Sequence, residues 1–132
     1  MKWFVANIEA LTMENNHFRE VLYTAKHCQL VVMNIKPGQE IGVETHDDND
    51  QFFRVEHGQG KCIIDNHETE IKDGFAIIIP AWVQHNIINT SLVQDLKVYT
   101  LYSPPHHKDK TIHPTKHDAE LSDEEFDGKT TE

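Results

Sequence analysis

The chain has 132 residues, 38% of them hydrophobic, and a formal charge of -10 at pH 7, which is enough apolar material for one core and one domain. An acidic chain without a basic stripe argues against nucleic acid and anionic membrane as partners. No apolar run reaches the roughly 18 residues that a membrane span requires.

The opening MKWFVANIEALTMENN lacks an unbroken apolar stretch and a small-residue cleavage site, so no secretory leader is expected and a cytoplasmic location is. Within it, WFVANIEAL suits a short helix or an added edge strand. From there the dominant period is two. HFREVLYT sets Phe18, Glu20, Leu22 and Thr24 on one face and Arg19, Val21 and Tyr23 on the other. QLVVMNI is a nearly continuous apolar run, ended by the turn at Pro37-Gly38.

After the Asp-rich loop from Asp47 to Asp50, QFFRVEHGQG sends Gln51, Phe53 and Val55 one way and Phe52, Arg54 and Glu56 the other. Gly58-Gln59-Gly60 then reads as a hairpin turn. KCIIDN is the next strand, followed by a polar turn at Asn66-His67 and the short segment ETEIKDG. FAIIIP reads as a buried strand ended by proline. HNIINTS places His85, Ile87 and Asn89 on one side, and DLKVYTLYS is the last long strand. Short strands at close intervals with few helical stretches predict an all-β, closed or sandwiched antiparallel sheet.

Cys28 and Cys62 lie in separate strand-like segments without CxxC spacing. They read as buried thiols in a reducing compartment, with a disulfide left open. Residues 117–132 hold seven acidic residues against one lysine, leaving a net charge of -4 on residues 1–116. The sequence therefore predicts a single domain over 1–116 and a mobile acidic tail over 117–132.

Two segments set metal-ligand side chains between glycines and a proline. The first, Gly38 to Gly58, reads GQEIGVETHDDNDQFFRVEHG, and the second, Gly74 to Asn89, reads GFAIIIPAWVQHNIIN. Their spacings match the motifs G(X)5HXH(X)3-4E(X)6G and G(X)5PXG(X)2H(X)3N, so the chain resembles a small single-domain cupin over roughly residues 29–103. The resemblance implies a cupin-type double-stranded β-helix, or jelly-roll barrel, with short terminal extensions. It also implies a homodimer. Three positions depart from the motifs: Glu44 replaces the first histidine, Gln51 the glutamate, and Trp82 the inner glycine of the second motif.

Residues two apart on a strand share a face, which brings Glu44 and His46 to one side. Gln51 follows after a short loop, and His85 arrives from the second motif. Glu44, His46, Gln51 and His85 are thus the expected ligands of one divalent ion, whether iron, manganese, nickel or zinc. Gln51 either binds the ion or holds a metal-bound water. Glu44 or a metal-bound water is the candidate base, Phe53 and Tyr102 are candidate pocket walls, and Trp82 is a candidate wall or rim residue near His85, with core filling as the alternative. Gly38, Gly58, Gly74, Pro80 and Asn89 read as architecture.

The segment YSPPHHKDKTIHPTKH adds His106, His107, His113 and His117 in a pattern that matches no structural zinc site. It resembles the tail YxPPxHxxGTxHxTKxxA of a group of bacterial one-domain cupins, with Lys110 in place of their glycine. It is expected to wrap the barrel or a partner subunit; alternatively His107 or His113 forms a lid, with Lys116 meeting an anionic substrate. The function expected is that of a metal-dependent enzyme on a small oxygenated metabolite such as a sugar or sugar acid, working by isomerisation or ring opening. An iron-dependent dioxygenase and a non-catalytic module that binds a small ligand are the alternatives.

Overall fold

The computed structural model describes residues 3–132. Met1 and Lys2, which open the stretch tested for a leader, lie outside the described residues. The elements run α1 (Ile8–Glu14), β1 (Arg19–Thr24), β2 (Gln29–Ile35), β3 (Asp50–His57), β4 (Gln59–Ile64), β5 (His67–Lys72), β6 (Ala76–Ile79), β7 (His85–Asn89), β8 (Leu96–Ser103), β9 (Ile112–His113) and α2 (Lys116–Leu121). Among the described residues no helix is long and apolar enough to cross a membrane.

The strands form two antiparallel sheets, ordered β6-β3-β8-β2-β1-β9 and β5-β4-β7. Between them lies one apolar cluster that includes Val31, Met33, Phe53, Val55, Ile87 and Val98. Alternation decides which residues enter it. On β3, Gln51, Phe53 and Val55 point inward, and on β7, His85, Ile87 and Asn89 do. This is the all-β jelly roll that the sequence predicts.

Several local expectations need correction. WFVANIEAL yields a helix displaced toward its C-terminal side, because Asn7 caps α1 by accepting the Ala10 N–H at 3.1 Å. In β1 a bulge between Val21 and Tyr23 breaks the alternation, so Arg19, Val21 and Thr24 are buried together. The turn after β4 falls one residue earlier than expected. Asp65 and Asn66, with φ of 48° and 66°, form a two-residue hairpin loop and His67 already belongs to β5.

Gly58-Gln59-Gly60 is not a hairpin turn, since β3 and β4 belong to different sheets. The segment carries the chain across the barrel edge, where a side chain at Gly58 would run into the Asp95 carbonyl and one at Gly60 into that of Ile88. β6 is an edge strand and only half buried: Ile77 and Ile79 face inward while Ile78 is exposed. Cys62 is buried but Cys28 is exposed, and both are free thiols.

Residues 117–132, expected to be a mobile appendage, are tied to the barrel. Thr131 donates its N–H to the Thr24 carbonyl at 2.9 Å, Thr24 returns one to Thr131 Oγ1 at 2.8 Å, and Phe126 donates to the His106 carbonyl at 3.1 Å. Charge counting misses these bonds because they use backbone groups and hydroxyls.

Candidate metal centre

The stretch between β2 and β3 delivers two candidate ligands without forming a named strand. It is laced to β7 instead. Glu44 and His85 exchange both backbone hydrogen bonds at 2.9 Å, Ile41 donates to the Ile87 carbonyl at 2.9 Å, and Asn89 donates to that of Gln39 at 2.9 Å. The expectation that Glu44 and His46 lie on one strand is corrected, but their shared direction stands. The Trp82 N–H anchors the His46 carbonyl at 2.7 Å.

These contacts gather Glu44, His46 and His85 so that one ligand atom from each lies within 4.8 Å of the others. His46 Nε2 is 3.2 Å from Glu44 Oε2, and His85 Nε2 is 3.9 Å from it. The first contact is close but misaligned, so both Nε2 atoms are buried without a hydrogen-bond partner. Gln51 Oε1 is a third such orphan. Buried polar atoms are normally paired, at a cost of about 1–3 kcal/mol each when they are not. Two unpaired imidazole nitrogens beside a carboxylate are a donor set that a divalent cation satisfies, and the unpaired Gln51 oxygen is a further candidate donor. The residues present therefore fit such an ion.

Second contacts prepare the donors. His85 Nδ1 lies 3.0 Å from the Val83 carbonyl, which places the ring proton there and leaves Nε2 free to ligate. Burial pushes the His85 imidazole down toward its neutral form, against the pull of Val83 and Glu44. At Glu44 burial favours the acid, but His46, Arg19 and His85 together hold the carboxyl below its usual range.

The remaining sequence candidates separate. Tyr102 is buried and meets His46 edge-on at 5.7 Å between ring centres, so it does wall the cluster. Phe53 sits one step along the inward face from Gln51 and packs in the apolar core. Trp82 is 71% exposed, so it does not fill the core, and its backbone stands beside His46. Its φ of 72° keeps the left-handed backbone of the glycine it replaces, and Lys110, at 64°, does the same in the tail motif.

His107 and His113 are buried, and neither is an exposed lid. His107 bonds Tyr102 and Glu124, and His113 Nδ1 lies 3.2 Å from Arg19 Nη1. Three neighbours of the site escaped the sequence reading. His106 packs against His46 at 4.4 Å between ring centres, with Nδ1 3.2 Å from Asn49 Oδ1. Burial foremost, then His107 and His46, push His106 down to about 4. Its only sequence signal was the His-His pair. Arg19, 7% exposed on a strand, and Glu124, hidden in an acidic run, gave less.

A cavity of about 310 Å³ opens beside Glu44, lined also by Arg19, Lys116, Ala119 and Glu120. Lys116 Nζ is 3.8 Å from Glu120 Oε1, so its charge is shared. A larger concavity of about 660 Å³ lies along β4 and β5 and contains none of the candidate ligands. Of the four candidate ligands, only Glu44 lines the smaller one.

The sequence matches the family model described as a cupin domain over residues 31–102. It is 42% identical over 124 residues to the uncharacterised protein YrkC of Bacillus subtilis (strain 168), covering 89% of this chain and 66% of that one. It is 41% identical over 107 residues to the uncharacterised protein L612 of Acanthamoeba polyphaga mimivirus, covering 79% and 67%. The chain thus spans about two thirds of the length of these relatives. Among solved structures, BH2720 from Bacillus halodurans superposes with a TM-score of 0.87 at 42% identity, covering 90% of this chain and 94% of that one.

Proposed function

The chain belongs to the cupin domain family, and from that premise we propose that it is a metal-dependent enzyme acting on a small, anionic, oxygenated metabolite such as a sugar acid. The observation that carries this reading is the pair of buried, unpaired donor atoms, His46 Nε2 and His85 Nε2, beside the Glu44 carboxylate, with Gln51 as a further candidate ligand. A divalent ion held by these four residues supplies Lewis-acid polarisation of an oxygen-bearing substrate.

The other tasks fall to side chains of the chain itself. Arg19 and Lys116 line the cavity beside Glu44, which suits a substrate carboxylate at the mouth and its reacting carbons deeper in. Glu44, partly exposed to that cavity and held ionised, is placed to take and return a proton, as isomerisation or ring opening requires. Tyr102 and His106, stacked at 5.1 Å between ring centres, close the side behind His46. The expected homodimer remains part of this proposal, with the open sheet edges at β5 and β6 as places for a second copy to pair.

Protein purified without chelators or a histidine tag is assayed for its metal content. Samples loaded with iron, manganese, nickel or zinc are then screened against sugar acids, phosphosugars and aromatic diols, with the mass measured by sedimentation. Isomerisation of a sugar acid is the result expected. Turnover confined to diols, with iron and dioxygen, assigns the site to oxygenase chemistry instead. Inactivity with every metal together with tight binding of one compound makes the protein a binding module.

A further inference from the structure

Arg19 opens β1, and the two-residue strand β9 sets His113 directly opposite it. The Arg19 side chain is buried, with Cζ 5.2 Å from the centre of the Phe18 ring and Nη1 3.2 Å from His113 Nδ1. A guanidinium only donates, so His113 Nδ1 accepts and the imidazole proton sits on Nε2. Burial first, and then the Arg19 charge, push His113 toward that neutral form against the pull of Glu124 and Asp118. The histidine thus aims the guanidinium without cancelling its charge.

The neighbouring carboxylates are engaged elsewhere: Glu44 lies against His46 and His85, Glu120 against Lys116, and Glu124 against His107. Among the described residues none forms an ion pair with Arg19, and its Nε has no hydrogen-bond partner. Glu44 and Arg19 interact only through space. A buried charge without a bonded partner is costly. With His113 on Nη1, the side of the guanidinium left over is Nε with Nη2, the two-pronged edge that matches a carboxylate. Arg19 lines the cavity of about 310 Å³ together with Phe18, Ile41, Gly42 and Ala119. That volume lies at the small end of ligand cavities, about 300–1,000 Å³.

We propose that Arg19, held in place by His113, anchors one carboxylate group of a small ligand, and that this subsite sets a preference for acids over neutral compounds. Lys116, shared with Glu120, is not the anchor. His113 of the tail motif is then a positioning residue, and β9 is the element that delivers it. That the ligand is the substrate rests on the metal reading above; binding of the anion does not.

The test uses the full chain freed of metal by dialysis. It is titrated at constant ionic strength with sodium acetate, with acetamide as the uncharged counterpart, and with inorganic phosphate. The Arg19 Nε–H signal in 15N–1H spectra, assigned by its loss in Arg19→Lys, is followed with the backbone amides of Gly42 and Ala119. Acetate shifts all three saturably, in the millimolar range suited to one bidentate contact. Phosphate binds more weakly and acetamide has no effect. Arg19→Lys keeps the charge but loses the fork, and weakens acetate binding about tenfold or more. His113→Asn, whose Oδ1 replaces Nδ1 as acceptor, keeps the affinity that His113→Leu loses. Should Arg19→Lys fail to fold, the Gly42 and Ala119 amides of the native chain still decide. Absence of a saturable shift, or an equal response to acetamide, overturns the proposal. Tighter binding of phosphate overturns the choice of carboxylate, and equal affinities in the two His113 variants overturn the role of His113. Saturation by acetate in a chain that calorimetry shows to bind no zinc(II) supports the anchor and overturns the metal reading alone.

Discussion

Trp82 donates its backbone N–H to the His46 carbonyl at 2.7 Å while holding a φ of 72°. The loop that carries one candidate ligand is thereby fixed by a residue in a conformation glycine adopts freely. The side chain contributes little in return, since it is 71% exposed.

Trp82→Gly is therefore expected to keep the His46 anchor and relieve the backbone. Left-handed residues with a Cβ lose about 1–2 kcal/mol, and the added freedom of glycine in the unfolded chain offsets about half. The expected net gain is up to about 1 kcal/mol in denaturant unfolding. A loss of that size would show that the indole packs on something other than this chain.

Metal binding is expected to stabilise the fold through His46 and His85. A divalent ion at 100 times its Kd adds about 2.7 kcal/mol, seen as a rise of several degrees in Tm that a chelator reverses. Replacing both histidines by alanine removes the rise, and calorimetric titration of the native chain gives one ion per chain. Stabilisation that survives the double replacement would place the ion elsewhere.

Gly60→Ala is expected to be strongly destabilising, by roughly 3 kcal/mol, through overpacking. The new methyl group meets the Ile88 carbonyl across β4 and β7, where neither backbone can yield without breaking the pairing at Asn89. Gly74→Ala has no such neighbour; its φ of 91° alone predicts a smaller loss. Urea midpoints of the two variants give the comparison.

Acid is expected to loosen the tail. The Glu124 carboxyl is depressed in the folded chain, so its contribution is fully present above its ordinary value of 4.5 and is lost as pH falls toward about 2. His107 and His113 face it, and burial pushes both imidazoles down, so their protonation below the ordinary 6.5 also costs stability. In metal-free protein, Tm measured between pH 6 and pH 3 should fall less steeply in Glu124→Gln than in the native chain. Identical slopes would remove Glu124 from the acid response.

Much of this molecule is legible along the chain because it depends on local rules. The strands follow from a period of two, and the places of Gly38, Gly58, Gly74 and Pro80 mark where the backbone turns or stops. Glu44, His46 and His85 could be selected because motif spacing encodes which side chains face the barrel axis. The errors share a cause as well. The bulge in β1 and the sheet change at Gly58 depend on what each segment packs against, and so does the choice of a helix over an edge strand after Asn7, which the sequence left open.

The sequence by itself determined an all-β cupin and a carboxylate with two imidazoles as candidate donors, because side-chain alternation and glycine spacing are one-dimensional properties. Only the tertiary structure decided that His106 lies against His46, that Arg19 lines the cavity, and that Glu124 reaches Tyr102 through His107. His106 is 60 positions from His46, Arg19 is 25 from Glu44 and Glu124 is 22 from Tyr102, and contacts between such residues exist only once the chain has closed on itself.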